Sequence, residues 1–218
     1  MGDIVYSLPT VQALGGGTFW VRKKDHYDAL RLLLAIQPCV TSVVNRPPEK
    51  RGYVNLDAYR RVERVAYRTG NFRHLAECHL EALGKEADLT KPWLFGIEPN
   101  HVADIVVNRS TRYHDREDSD WDILACRDTV FIGYEEEYER FPVNSIPHCR
   151  CVDALDMAQI IKGSKLFIGN QSLGFAIAEA MKHPRVLEVY HNNANCMPKG
   201  DYGYVHLDEE VLNRHVCT

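Results

Sequence analysis

Short apolar runs alternate with segments of helical apolar spacing along most of this chain. In the later part of the sequence, runs of aliphatic and β-branched residues are typical of strands buried on both faces. These runs cover residues 105–107, 129–132, 166–168 and 186–189. Apolar residues at helical intervals predict helices over residues 26–36, 74–83, 155–161 and 208–215. The alternation predicts an α/β fold with mainly parallel sheets.

The first helix and the division into halves follow from residues that interrupt regular structure. Ser7 is placed to cap a helix whose first turn contains Pro9, and a glycine triplet ends that helix. The polar stretch 85–100, which contains prolines, is the best candidate for a boundary. We therefore expect two small Rossmann-like halves, residues 1–98 and residues 99–218, with a cleft between them.

The clearest candidate for binding chemistry is the stretch SKLFIGNQSLGFAIAEAMK at residues 164–182. Its apolar run is followed by Gly169, Asn170, Gln171 and Ser172 and then by a helical pattern, which indicates strand, turn and helix. The glycine lets a ligand approach the backbone, and the helix N-terminus favours anions, phosphate above all. The alternative is that Asn170 or Ser172 merely caps the helix.

A second candidate loop follows the apolar run 105–107 and contains Arg109, Ser110 and Arg112. In open parallel sheets, ligands bind at the carboxyl ends of the strands, so all three residues are candidate phosphate contacts. Two guanidinium groups three positions apart could hold a diphosphate without a metal. In the alternative, this is a surface loop whose Arg112 pairs with the acidic stretch 115–122.

Composition narrows the classes of partner. The chain has 218 residues, of which 45% are hydrophobic, enough for a substantial core. Lys and Arg number 26 against 30 Asp and Glu, a net charge of -4, and no Lys/Arg-rich run suggests a nucleic-acid partner. Seven irregularly spaced cysteines and the absence of a leader pattern predict reduced thiols in the cytoplasm. No apolar run is long enough to cross a bilayer.

Two clusters that suggest a metal lack part of the ligand set. Asp118, Asp120 and Asp122 have the spacing of a calcium-binding loop, but its glycine and its final glutamate are missing. The segment 148–151 contains histidine and two cysteines without the second ligand pair that structural zinc needs. We predict no metal and no cofactor. Asp3, taken alone, is an ordinary cap or a frayed terminal residue.

Three separated stretches change the interpretation of Asp3 and of both loops. GDIVYSLPTVQALGG at 2–16, IVVNRSTRY at 105–113 and DMAQIIKGSKLFIGNQSLGFAIAEAM at 156–181 resemble, in this order, the GT-B glycosyltransferases of the heptosyltransferase-like (glycosyltransferase family 9-like) group. In that family the first stretch belongs to the acceptor-side half, and the third belongs to the half that holds the nucleotide-diphosphate sugar. The third match is the most specific. The strand that family members carry ahead of the Gly-Asp pair is absent or replaced here.

The resemblance implies roles for particular residues. Asp3 matches the catalytic base of the family, Arg109 lies in the loop whose basic residue faces donor phosphate, and residues 169–172 match the loop that closes over the diphosphate. To these we add Arg112 as a second phosphate contact. We also add Glu188 as a strand-end carboxylate that accepts hydrogen bonds from ribose hydroxyls, with an exposed strand residue as the alternative.

The implied activity is metal-independent, inverting transfer of a sugar from a nucleotide-diphosphate-sugar donor to an acceptor hydroxyl on a glycan or glycolipid. Two other functions stay open at this point. One is a non-catalytic module that binds a nucleotide or nucleotide sugar, and the other is an interaction protein built on a Rossmann-like scaffold. A homo-oligomer could compensate for the missing first strand.

Overall fold

The computed structural model describes residues 1–47, 52–113 and 121–216, and within them eight short strands form two parallel sheets. The strands are β1 (Gly17–Trp20), β2 (Val40–Val44), β3 (Ile105–Asn108), β4 (Thr129–Ile132), β5 (His148–Cys149), β6 (Leu166–Asn170), β7 (Arg185–Glu188) and β8 (Gly203–Tyr204). β1 pairs with β2 in a small sheet, and the other six have the order β5-β4-β3-β6-β7-β8. Every pairing is parallel.

Nine α-helices connect and cover these strands in the described residues. They are α1 (Gly2–Tyr6), α2 (Leu8–Ala13), α3 (Lys24–Ala35), α4 (Tyr59–Arg68), α5 (Leu75–Ala82), α6 (Glu135–Tyr138), α7 (Ala154–Gly163), α8 (Leu173–Met181) and α9 (Glu209–Val216). Short 3-10 helices cover Leu56–Ala58, Trp121–Leu124 and His191–Asn193. The predicted α/β fold with parallel sheets is confirmed.

The central strands are buried on both faces, as their apolar runs predict. In β3, Val106 faces one buried apolar cluster while Ile105 and Val107 face a second, because successive strand side chains point to opposite sides. The first cluster also holds Phe175 of α8 and Val5 of α1. Because both faces of the sheet are covered, a ligand can reach it only at the ends of the strands, where the residues are polar.

Glycines let α8 approach the sheet closely. A Cβ atom on Gly174, in the first turn of α8, would lie 2.8 Å from Asn108 Oδ1. A Cβ atom on Gly169 would lie 2.6 Å from the Asn108 carbonyl oxygen. Both distances are shorter than a real carbon atom tolerates, so glycine is required at these positions for the strand ends and the helix to meet.

Several boundaries differ from the sequence-based expectation. β6 runs through Gly169 and Asn170, so the turn before α8 contains only Gln171 and Ser172. Ser7 lies between α1 and α2 in helical conformation, and its hydroxyl donates to the Ile4 carbonyl rather than capping α2. Helices α1 and α4 were not predicted from the sequence.

The sheet in the first part of the chain is smaller than the six-stranded sheet and has two described strands. Among the described residues before position 105, β1 and β2 are the strands that pair, and α1 precedes them. Gly2 and Asp3 themselves lie in the first turn of α1, so the Gly-Asp pair belongs to a helix. The division into residues 1–98 and 99–218, with its cleft, stays a prediction.

Candidate functional site

Three neighbouring strands of the larger sheet, β3, β6 and β7, present polar residues at their carboxyl ends. β3 ends at Asn108, which is aligned with Gly169, and Asn170 at the end of β6 is aligned with Glu188 at the end of β7. The Asn108 amide donates to the Ile132 carbonyl at 2.8 Å, so β4 is tied to the same edge. The carboxyl ends of four parallel strands therefore meet where the sequence predicted a binding site.

Asn170 holds the loop that follows β3. Its side chain is fully buried, and its Oδ1 accepts from the Ser110 backbone N–H at 3.0 Å. Its Nδ2 donates to the Ser110 carbonyl at 3.0 Å and to the Arg112 carbonyl at 2.5 Å. Both polar ends of this amide are used inside the protein, so Asn170 shapes the loop that carries Arg109, Ser110 and Arg112.

Arg109 and Glu188 form a two-point ion pair across the strand ends. Arg109 Nε donates to Glu188 Oε2 at 2.7 Å and Nη2 donates to Oε1 at 2.6 Å. The two side chains are 15% and 8% exposed, so the exposed-strand alternative for Glu188 does not hold. Trp121 lies beside the guanidinium, with 5.6 Å between its ring centroid and the guanidinium carbon. Such a pair is fixed in orientation, because both groups are planar.

Ser172 caps α8 and connects it to the sheet. Its Oγ accepts from the Phe175 N–H at 3.3 Å and donates to Asn108 Oδ1 at 2.8 Å. The preceding Gln171 donates through Nε2 to the Asn193 carbonyl at 2.8 Å and to Asn195 Oδ1 at 2.7 Å. The capping role weighed in the sequence analysis belongs to Ser172 and not to Asn170. The cap occupies the Phe175 amide, and the amides of Leu173 and Gly174 form the positive end of α8.

Arg112 lies exposed at the end of the same loop. Its guanidinium carbon is 5.4 Å from the Tyr113 ring centroid. The acidic stretch 115–122 was its alternative partner, and residues 114–120 of that stretch and its approach lie outside the described residues. Both predicted roles of Arg112, phosphate contact and surface ion pair, therefore stay predictions.

Asp3 is held by two side chains from α4. Its Oδ2 accepts from the Tyr59 hydroxyl at 2.7 Å and from Arg60 Nη2 at 3.4 Å, and its side chain is 45% exposed. Burial raises the pKa of Asp3, but the Tyr59 hydrogen bond, the Met1 amino group and Arg60 together outweigh burial and lower the pKa. Asp3 is thus a carboxylate at neutral pH, as a base must be.

Tyr59 is held in place by a histidine side chain from α5. Its ring stacks on His79 with 4.0 Å between centroids, and both residues are buried. Burial lowers the pKa of His79 to about 4, which keeps this imidazole neutral at pH 7. Tyr59 and Arg60 were not predicted from the sequence as partners of Asp3. The apolar spacing of Tyr59, Val62 and Ala66 was the available signal for the helix that brings them there.

Asp3 and the start of α8 belong to one neighbourhood. A Cβ atom on Gly2 would lie 3.4 Å from the Ser172 carbonyl oxygen and 3.4 Å from Ala176 Cβ, so α1 packs directly on α8. The fold therefore brings the first and third sequence stretches together, although the contacting residues Gly2 and Ser172 are 170 positions apart.

A polar depression lies along α4, the helix whose Tyr59 and Arg60 hold Asp3. Its volume is about 270 Å³, and its lining residues are Arg60, Glu63, Arg64, Tyr67 and Asn193. Asn195 Nδ2 donates to Glu63 Oε1 at 3.0 Å, so the hydrogen-bond chain that starts at Gln171 reaches α4. The depression thus lies between the helix that holds Asp3 and the loop that follows β7.

A separate cluster could hold a metal elsewhere in the molecule. In the described part of the chain, His101, Asp104 and Asp128 are the group of three metal-ligating side chains whose ligand atoms lie within 4.8 Å of one another. They lie at the amino ends of β3 and β4, and Lys165 Nζ is 3.1 Å from Asp104 Oδ2. This cluster is at the opposite end of the sheet from the candidate site.

The α/β architecture with two parallel sheets is similar to that of GT-B-like glycosyltransferases of known structure. The chain is similar to a glycosyltransferase family 9 structure from Veillonella parvula DSM 2008, with a TM-score of 0.56 and 13% identity, covering 93% of this chain and 82% of that chain. It is also similar to the E. coli heptosyltransferase WaaC with ADP, with a TM-score of 0.55 and 11% identity, covering 93% of this chain and 89% of that chain. The resemblance stated from the three sequence stretches is confirmed at the level of the fold.

No protein-family model matches the sequence, and no curated protein matches it. Within the described residues, none of the helices combines the length and the apolar character that crossing a membrane requires.

Proposed function

We propose that this protein is a metal-independent, inverting glycosyltransferase that moves a sugar from a nucleotide-diphosphate sugar to an acceptor hydroxyl. The observation that carries the proposal is the ionised Asp3, held by Tyr59 and Arg60 next to the start of α8. A helix N-terminus that favours phosphate and a fixed carboxylate are the two groups that the reaction needs.

Asp3 acts as the general base. Both of its described side-chain hydrogen bonds go to Oδ2, which leaves Oδ1 for the acceptor hydroxyl. The acceptor oxygen attacks the anomeric carbon from the face opposite the leaving group, and its proton passes to Asp3. The bond between the anomeric carbon and the diphosphate oxygen breaks, and its electron pair leaves with the nucleoside diphosphate. Attack from the opposite face inverts the anomeric centre.

The charge of the departing diphosphate is met by fixed donors. The first amides of α8 supply positive potential without rearranging during the reaction, and the exposed Arg112 adds a positive charge from the loop after β3. Arg109 adds to them through Nη1, which has no hydrogen-bond partner among the described residues while Glu188 engages Nε and Nη2. In this arrangement Glu188 orients Arg109 and remains near enough for a ribose hydroxyl of the donor.

The other predicted contacts have supporting roles. Gly169 allows close approach, Ser110 and Gln171 are polar groups beside the diphosphate, and Asn170 holds the loop in shape. The similarity to WaaC with ADP makes an adenosine diphosphate sugar the first donor to test. We place the reaction in the cytoplasm, with a glycan or glycolipid as acceptor.

The decisive experiment separates binding from turnover. Calorimetric titration with ADP, UDP and GDP identifies the base, and release of that nucleoside diphosphate from its sugar derivative measures turnover with and without EDTA. We expect one nucleotide to bind, turnover to persist in EDTA, and Asp3→Asn to abolish turnover while binding remains. Binding without turnover of the wild-type protein, with any donor sugar and acceptor, supports the non-catalytic module instead. No binding of any nucleotide overturns both.

A further inference from the structure

Helix α4 presents a continuous arginine face to solvent. Arg60, Arg61, Arg64 and Arg68 are all exposed, and at 3.6 residues per turn they lie within an arc of about 100° around the helix axis. The opposite side carries the buried Tyr59 and Ala66 that pack on the rest of the protein. We call these four residues the arginine face of α4.

The positive charge of this face is mostly uncompensated. Arg60 lies 3.4 Å from Asp3 and 3.5 Å from Asp57, measured between side-chain nitrogen and oxygen. Arg61, Arg64 and Arg68 have no ion-pair partner in the described ranges. Because the whole chain has a net charge of -4, such a concentration of arginine is a local feature and not a general property of the surface.

Two large apolar side chains flank the arginine face, and two more are exposed ahead of it in the chain. Val65 and Tyr67 of the same helix are 62% and 57% exposed, and they border the arginine arc on its two sides. Tyr53 and Val54, in the segment that leads into the helix region, are 65% and 48% exposed. Arginine attracts anionic lipid headgroups, and tyrosine and aliphatic residues enter the headgroup region of a bilayer.

We propose that the arginine face of α4 docks on an anionic lipid bilayer. The exposed aliphatic Val65 beside the arginines favours a bilayer over a nucleic acid, which would be bound by cations and by aromatic rings stacked on its bases. Each arginine near such a surface strengthens binding about fivefold. The polar depression along α4 shares Arg60, Arg64 and Tyr67 with this surface, and Arg60 also contacts Asp3, so docking brings Asp3 close to the membrane.

The test is binding of the full-length protein to vesicles. Co-sedimentation is measured with vesicles of phosphatidylcholine alone and with vesicles that also contain phosphatidylglycerol, at low and high salt. The test variant is Arg61→Gln with Arg68→Gln, because neither residue lines the depression and glutamine preserves helix propensity. The matched control is Arg31→Gln with Arg140→Gln, which removes the same charge from exposed positions outside α4.

We expect binding to the anionic vesicles only, weakened by salt, with a loss of about thirtyfold in the α4 variant and no change in the control. Circular dichroism confirms that the variant is folded. The proposal is overturned if the wild-type protein does not bind anionic vesicles, if both variants bind as well as the wild type, or if heparin or duplex DNA binds while vesicles do not. Asp3→Asn should bind vesicles normally, so this result is independent of the proposed transferase activity.

Discussion

The two parts of the candidate site differ in how much of their polar chemistry the protein itself uses. At the strand ends, Asn170 is fully buried and Glu188 has an 8% exposed side chain, and both are bonded to neighbouring protein groups. Asp3 is 45% exposed and uses one carboxylate oxygen. The strand ends therefore form a rigid frame, while Asp3 keeps free hydrogen-bonding capacity for a ligand.

The difference has a physical cause in burial. A charge removed from water is stable only when it is paired, so Arg109 and Glu188 satisfy each other inside the sheet edge. A carboxylate that stays partly in water needs no full set of partners. Polar residues at strand ends can thus be essential to a site by holding its shape, even where they do not contact the ligand.

The largest expected effect is on turnover and comes from Asp3→Asn. The substitution keeps the size of the side chain and removes its capacity to accept a proton, so we expect the rate of sugar transfer to fall about a thousandfold. Donor affinity should be unchanged, because Asp3 faces the acceptor in the proposed mechanism. The measurement is the initial rate of nucleoside diphosphate release under saturating donor.

Asp57→Asn is the matched control for Asp3. Asp57 also pairs with Arg60, with 3.5 Å between Asp57 Oδ1 and Arg60 Nε, but it is exposed and lies outside the proposed site. It should retain nearly full activity. If both variants lose turnover equally, Asp3 acts only through Arg60. Asp3 would then be a structural residue like those at the strand ends, and not the group that contacts the ligand.

The second effect is on stability and comes from Arg109→Ala. Removing the guanidinium leaves Glu188 mostly buried and unpaired, so we expect a decrease of about 3 kcal/mol in the free energy of unfolding. Urea denaturation measures the loss. Adding Glu188→Ala to Arg109→Ala should recover part of it, because the unpaired charge is then gone.

Arg214→Ala is the control for an exposed ion pair. Arg214 and Glu210 lie at i,i+4 in α9 with 54% and 79% exposed side chains, so their contribution is at most about 0.5 kcal/mol. If Arg109→Ala lowers the free energy of unfolding as little as Arg214→Ala does, the pair of Arg109 and Glu188 is not part of a rigid frame. Arg109 would then be free to serve a ligand alone.

Sequence reasoning reached the strand ends because local patterns determine them. Apolar runs identified β3, β4, β6 and β7, and the strand-turn-helix pattern identified the edge at which they meet. The pairing of Arg109 with Glu188 spans 79 residues, and that of Tyr59 with Asp3 spans 56. No local pattern specifies such contacts, since they depend on which elements become neighbours in the fold.

The arginine face of α4 was missed for a different reason. Its arginines occur at helical intervals and are interrupted by Val62, Glu63 and Val65, so they form no continuous basic run. Only the helix aligns them on one side. A search by helical periodicity rather than by local charge density would have found them.

A smaller effect is expected at the start of α8. Ser172→Ala removes the side chain that caps the helix and bonds Asn108, and N-cap losses of this kind cost about 1 kcal/mol. Ser172→Thr should retain most of the stability, because threonine also caps. Thermal unfolding measures both variants. Equal stability of Ser172→Ala and the wild type would indicate that the Ser172 hydroxyl is not a structural tie.

The smallest expected effect concerns pH and comes from Tyr59→Phe. The Tyr59 hydroxyl donates to Asp3 and lowers the pKa of that carboxyl, so its removal raises the pKa. A base is active only when it is ionised, and the acid limb of the transfer rate therefore moves to higher pH. At neutral pH, where Asp3 stays ionised, the rate should change little. The measurement is the profile of kcat/KM against pH.

The free energy of unfolding should also decrease at acid pH when Asp3 becomes protonated. Because the pKa of Asp3 is lowered in the folded protein, its favourable contribution is present above its unfolded pKa and is lost as pH falls through the folded pKa. Tyr59→Phe weakens this contribution, whereas Tyr67→Phe, an exposed tyrosine of the same helix, should leave both profiles unchanged. An acid limb that stays in place, or moves to lower pH, would mean that Tyr59 does not tune the base. Arg60 and the Met1 amino group would then be sufficient to keep Asp3 ionised.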